Sequence, residues 1–120
     1  MRLCRGIAEA HGLQAEVEWE TLYPVTVNDA DEAGFLAATA ADLFGEQASV
    51  ELPHPHPGAE DFSRVLAAVP GAMAFLGATP PGADPETAPF NHSPLAVFDE
   101  AVLSSGAALY AKLAMDRLAR

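Results

Sequence analysis

The strongest constraint on this chain is an imbalance between its helices and its strands. Three helix-forming segments follow residue 28, and only two short apolar segments lie between them. The first helix starts at Asp29-Ala30-Asp31-Glu32, with Asp29 as N-cap and Glu32 three residues on. Ala33, Leu36, Ala37, Ala40, Ala41 and Phe44 then recur at helical spacing, and Gly45 ends the run. A second helix is predicted from about 59 to 69, where Phe62, Val65, Leu66 and Val69 share a face and Pro70-Gly71 stops it. The third spans about 99 to 118. Val102, Leu109 and Leu113 form one stripe, with Leu103, Ala107, Tyr110 and Ala114 beside it. Asp99 and Glu100 at its start, and Lys112, Arg117 and Arg120 near its end, complement the helix dipole.

Between these helices, residues 48–52 fit a short strand, and Ala72-Met73-Ala74-Phe75-Leu76 fits a buried one bounded by glycines. Two strands cannot build a sheet that covers three amphipathic helices. The pattern is α/β layering in part of a larger core. Upstream, residues 2 to 11 predict a helix, with His11 at its end and Gly12 as its stop. Residues 14 to 20 alternate Ala15, Val17 and Trp19 with polar residues, as a strand with one wet face does. Pro53 to Gly58 and the stretch from Thr79 to Pro94 are loops, because their prolines exclude a central strand or a helix interior.

Charge removes whole classes of function. The 120 residues carry a net charge of -11, and all six basic residues stand at Arg2, Arg5, Arg64, Lys112, Arg117 and Arg120. From Gly6 to Ser63 there are 12 acidic residues and no Lys or Arg. No basic patch exists to neutralise phosphates, so a nucleic-acid partner is not expected. A polybasic membrane anchor is absent too, and no apolar run reaches the ~18 residues of a spanning helix. The single cysteine, Cys4, permits neither an internal disulfide nor a Cys-rich zinc site, and a cytoplasmic setting is the default expectation.

The residues able to carry chemistry are few. Cys4 lies on a predicted helix with no partner pattern and reads as a buried thiol. His54 and His56, two apart in an extended segment, project to one side but supply only two of the three or four ligands zinc requires. Their bland alternative is a solvated loop. His92 lies in Phe90-Asn91-His92-Ser93-Pro94, just after the predicted buried strand, where open α/β sheets place their sites. There it is either a metal ligand or acid–base group, or a structural loop histidine. Glu60-Asp61 form adjacent carboxylates at a predicted helix start, a position that the helix dipole alone explains. Ser93, Ser104 and Ser105 lack a G-x-S-x-G context, and no phosphate-cradling glycine loop is present.

Three stretches taken together resemble one known family. They are Tyr23-Pro-Val-Thr-Val-Asn28-Asp29, then Gly58-Ala-Glu60-Asp61-Phe62-Ser63, then Asn91-His92-Ser93-Pro94 with Phe98-Asp99-Glu100 and Leu103. Their order and spacing are similar to the C-terminal portion of the metal-dependent amidohydrolases and peptidases. That branch contains hippurate hydrolase, N-acyl-amino-acid amidohydrolases and auxin-conjugate hydrolases, and is related to aminoacylases and carboxypeptidase G type enzymes.

The resemblance implies an α/β fold: the C-terminal part of a zinc-peptidase-like α/β catalytic domain, preceded by the last helix and strand of an inserted α+β lid domain. Residues 1–22 would be the remnant of that lid or dimerisation domain, and residues 23–120 part of the catalytic domain. It implies hydrolysis of the amide bond of N-acyl-amino acids or small peptides, with a homodimer in the full-length enzyme. Two divalent ions (zinc, manganese, cobalt or nickel) would activate a water, and a glutamate would act as general base. His92 would be a metal ligand. Asn28, Glu60 and Asp61 would bind substrate or support the site. The other ligands and the base belong to the family's N-terminal half, which has no counterpart here, so the chain is expected to be an incomplete catalyst. Two other readings compete with it. One is a non-catalytic binding or interaction module derived from this fold. The other is a small metalloprotein that uses His54, His56 and His92.

Overall fold

The architecture is a computed structural model that describes residues 1–119, so Arg120 lies outside the described residues. Helix α1 spans Arg2–Ala10. The N–H groups of His11 and Gly12 bond to Ala8 and Glu9 carbonyls, and Gly12 takes φ +71°, the left-handed stop a glycine provides. Helix α2 spans Ala30–Phe44, and a 3-10 turn follows at Glu46–Ala48. Asp29 Oδ1 accepts the N–H groups of Asp31 and Glu32 at 3.0 and 3.1 Å, which satisfies two of the donors a helix start leaves open. Gly45, at φ +94°, ends α2.

Helix α3 covers only Ser63–Leu66, where 59–69 was predicted. The residues before it turn instead: the Ser63 hydroxyl and N–H both donate to Glu60 O, at 2.5 and 3.2 Å. Helix α4 spans Val102–Leu118. Asp99 Oδ1 accepts the Ala101 N–H at 3.0 Å, which draws residues 99–101 into a turn ahead of it.

Helices α2 and α4 pack together. Lys112 reaches Asp42 at 3.4 Å and Asp116 at 2.6 Å, and Arg117 pairs with Glu32 while its guanidinium lies 4.7 Å from the Phe35 ring centre. Ala40 and Thr39 are buried, and the Thr39 hydroxyl donates to Phe35 O at 2.8 Å.

The strands of the α/β expectation do not form within the described residues. Among the described residues there are helices and turns but no strand, although segments at 14–20, 48–52 and 72–76 were predicted as strands. A strand exists by virtue of its neighbour, and each of these segments finds too little of one. The 71–78 segment comes nearest. Gly71 O accepts the Asp29 N–H, Met73 exchanges two bonds with the Asn28 side chain, and Ala78 O accepts the Asp99 N–H, all at 2.9 Å. Leu76 also seats against α4, where a Cβ on Gly106 would lie 3.1 Å from its Cδ2. Even so, Phe75 and Leu76 are exposed, so this segment is not the buried strand expected. Cys4 is exposed as well, because α1 buries none of its residues.

The apolar residues therefore have little to pack on. Ala40 is the only buried hydrophobic residue described. The radius of gyration is 20.0 Å, against about 14 Å for a compact domain of this length. The accessible surface is 10066 Å², against roughly 6,200 Å² for a folded monomer of this mass. No described helix is long and apolar enough to cross a membrane.

Candidate functional site

Asn28 stands one residue before the α2 cap. Its Nδ2 donates to Met73 O at 2.9 Å, and the Met73 N–H donates to its Oδ1 at 2.9 Å. The carboxamide thus takes the place of a peptide group on a neighbouring strand. The next residue continues the pairing through the Asp29 bond to Gly71. One Nδ2 hydrogen remains for another partner.

Glu60 and Asp61 lie in the turn that enters α3. Glu60 Oε1 accepts the Phe62 N–H at 3.3 Å, and its carbonyl takes both groups of Ser63. The carbonyl of Asp61 accepts the Arg64 N–H at 3.0 Å, and its side chain is exposed. Glu60 is half-buried. Next to them Arg64 Nη2 donates to Leu22 O at 2.8 Å and lies 5.7 Å from the Tyr23 ring centre. Arg64 ties the segment before Asn28 to the Glu60 turn. The signal for it in the sequence was its isolation, as the only basic residue between Arg5 and Lys112.

His92 is exposed on two consecutive turns: the Ser93 N–H bonds to Phe90 O at 2.8 Å, and the Ala96 N–H to Ser93 O at 3.1 Å. Ser93 Oγ also accepts the Leu95 N–H at 3.1 Å. The His92 ring lies 5.9 Å from that of Phe90. No hydrogen bond or ion pair among the described residues joins His92 to Asn28, Glu60 or Asp61. An open apolar concavity formed by Leu76, Ala78, Val97, Phe98, Val102 and Leu103 lies along the start of α4 and does not include His92.

Residues 5–116 match the sequence profile of peptidase family M20/M25/M40. The chain belongs to that family. The matched range takes in Asn28, Glu60, Asp61 and His92. Among its curated relatives, the hippurate hydrolase of Campylobacter jejuni is 31% identical over 118 residues, 98% of this chain and 29% of that enzyme. An IAA-amino acid hydrolase of Arabidopsis thaliana is 35% identical over 97 residues, 81% of this chain and 21% of that enzyme. Thermostable carboxypeptidase 2 of Saccharolobus solfataricus is 33% identical over 115 residues, 95% of this chain and 28% of that enzyme. The chain thus spans less than a third of the length of each of these relatives.

M20 membership fits a zinc-peptidase-like α/β catalytic domain, of which the described residues carry only helical elements. The donor set of this M20 chain does not by itself fit a metal ion. Among the described residues there is no group of three His, Cys, Asp or Glu side chains able to hold one. His54, His56 and His92 therefore do not converge into a three-histidine site. One imidazole falls short of the three or four protein ligands such ions take.

Proposed function

We propose that this chain forms part of a metal-dependent M20 amidohydrolase that cleaves the amide bond of N-acyl-amino acids or small peptides. The His92 turn carries the reading: an accessible imidazole on a hydrogen-bonded loop, inside the range that matches the family. Two relatives bear names that denote amide conjugates of amino acids, hippurate and IAA-amino acid, and a third is a carboxypeptidase. In this reading His92 is one ligand to a divalent ion (zinc, manganese, cobalt or nickel). The remaining ligands and the general base come from the part of the relatives' length that this chain does not span. Activation of water by two ions belongs to that whole, and no step of it runs through these residues alone. Glu60 and Asp61 shape the rim, and Asn28 supports the site by bracing the entry to α2 against Met73, within residues 23–120, which follow the lid remnant of residues 1–22.

A non-catalytic interaction module is the second reading. It is favoured by the missing ligand group and by the bare apolar surface of α4.

A chimera separates the two. This chain replaces the matched stretch of the Campylobacter jejuni hippurate hydrolase, and bound metal and hippurate turnover are measured. The expected result is a metal-loaded chimera that turns over, with both properties lost in His92→Ala. A metal-loaded chimera whose activity survives His92→Ala sinks the assignment of His92.

A further inference from the structure

His56 makes contacts that none of the family-matching segments explains. Its ring lies against Phe75, with centroids 5.1 Å apart and planes at 43°, and against Phe90, at 6.0 Å and 11°. Phe90 then lies 5.9 Å from the His92 ring, at 54°. Three segments distant in sequence meet through this one imidazole.

The local chain is built to hold it. Pro55 and Pro57 fix the backbone on both sides, so little freedom is lost when the ring settles. The Gly58 N–H donates to His56 O at 2.9 Å, closing a tight turn around Pro57. A Cβ on Gly58 would lie 3.1 Å from His56 Nδ1 and 3.4 Å from its Cε1. A side chain at residue 58 would therefore crowd the ring and push it by a few tenths of an ångström. Gly58 also opens the segment that carries Glu60 and Asp61.

We infer that His56 is a positioning residue: seated on Phe90, its ring fixes the Phe90–Ser93 turn and with it the orientation of the His92 imidazole. This rests on the reading of His92 as the functional imidazole. His56 acts through Phe90 and touches no reacting group. Its contacts are ring to ring, and neither of its nitrogens is hydrogen-bonded among the described residues. Aromatic shape carries the role, so another aromatic residue should replace it.

The test is proton NMR of the whole chain, which reads the His92 ring resonances and the cross-peaks between the His56, Phe90 and His92 rings. His56→Ala is expected to shift the His92 ring protons and weaken the Phe90–His92 cross-peaks, with helix content by circular dichroism unchanged. His56→Phe is expected to restore both. Gly58→Ala displaces the ring without removing it, and should move the His92 signals in the same direction by less. Three results overturn the inference: His92 signals unmoved in His56→Ala, no recovery in His56→Phe, or no His56–Phe90 cross-peak in the unaltered chain. The measurement uses neither metal nor substrate, so its failure is distinct from failure of the hydrolase reading.

Discussion

Asn28 and Met73, 45 residues apart, are joined through both ends of one side-chain amide, donor to carbonyl and acceptor to N–H, each at 2.9 Å. This junction holds the entry to α2 against the 71–73 segment. Both residues have access to water, so each bond contributes about 0.5–1 kcal/mol net. Asn28→Ala is expected to cost about 1–2 kcal/mol and to speed hydrogen exchange at the Met73 amide. Asn28→Asp keeps the acceptor and loses the donor. It should destabilise the chain while leaving the Met73 amide protected. Equal exchange rates in Asn28→Ala and the unaltered chain would refute this role.

Two residues upstream, Thr26 Oγ1 is buried with no hydrogen-bond partner among the described residues. A buried hydroxyl without a partner costs about 1–3 kcal/mol, and Val is close to Thr in shape. Thr26→Val should therefore leave stability unchanged or raise it by up to about 1 kcal/mol, measured by urea unfolding. A loss of stability would show that the hydroxyl is satisfied in solution.

Lys112 links α4 to α2 electrostatically. The hydrogen bond to Asp116 raises its pKa above 10.5, Asp42 adds to the effect, and desolvation opposes it. A folded-state value above the unfolded one means that the protonated form favours folding. The contribution is complete below 10.5 and fades as pH rises through the raised value. Stability should fall on alkaline titration above 10.5, and the fall should be shallower in Lys112→Met. Parallel pH profiles for the two proteins would place the titrating group elsewhere.

Arg117 and Glu32 join the ends of the same two helices, and the guanidinium also covers the Phe35 ring. Asp29 caps α2, and the carboxylate of Glu32, three residues on, turns to Arg117. In a double-mutant cycle, Glu32→Gln with Arg117→Gln should give a coupling of about 0.2–1 kcal/mol that shrinks in high salt. A coupling that resists salt would mean that the pair is more desolvated than its exposure indicates.

Helix α2 was legible because its signals are local. Asp29, the apolar spacing of 33–44 and Gly45 lie within one stretch, and α2 runs where they place it. The predicted strands did not form, because pairing partners are remote, and the partner that Met73 finds is the side chain of Asn28. The family was legible from the Asn28, Glu60–Asp61 and His92 segments, all within the matched range. The contact of His56 with Phe90 was hidden, since a loop histidine between prolines gives no sign of which ring it will meet. Cys4 was misjudged for a related reason: an amphipathic helix predicts a buried face only where something is present to cover it.

Helix α4 carries this furthest. Its charged residues Lys112, Asp116 and Arg117 are engaged in ion pairs with α2 or with each other. On its other side Leu103, Tyr110, Met115 and Leu118 are 67, 80, 68 and 88% exposed. Ala107, Ala111 and Ala114 are exposed among them. Beyond its packed face, α4 thus presents an uncovered apolar surface among the described residues. Such a surface drives association when nothing covers it. The isolated chain should therefore self-associate with rising concentration in sedimentation velocity, despite its net charge of -11. Tyr110→Lys with Met115→Lys should suppress that association. The same pair should change unfolding free energy by no more than about 0.5 kcal/mol per site, because neither side chain is packed. Undiminished association in the double variant would move the adhesive surface off α4, and Leu3 and Ile7 of α1, at 75 and 55% exposed, would be the next residues to change.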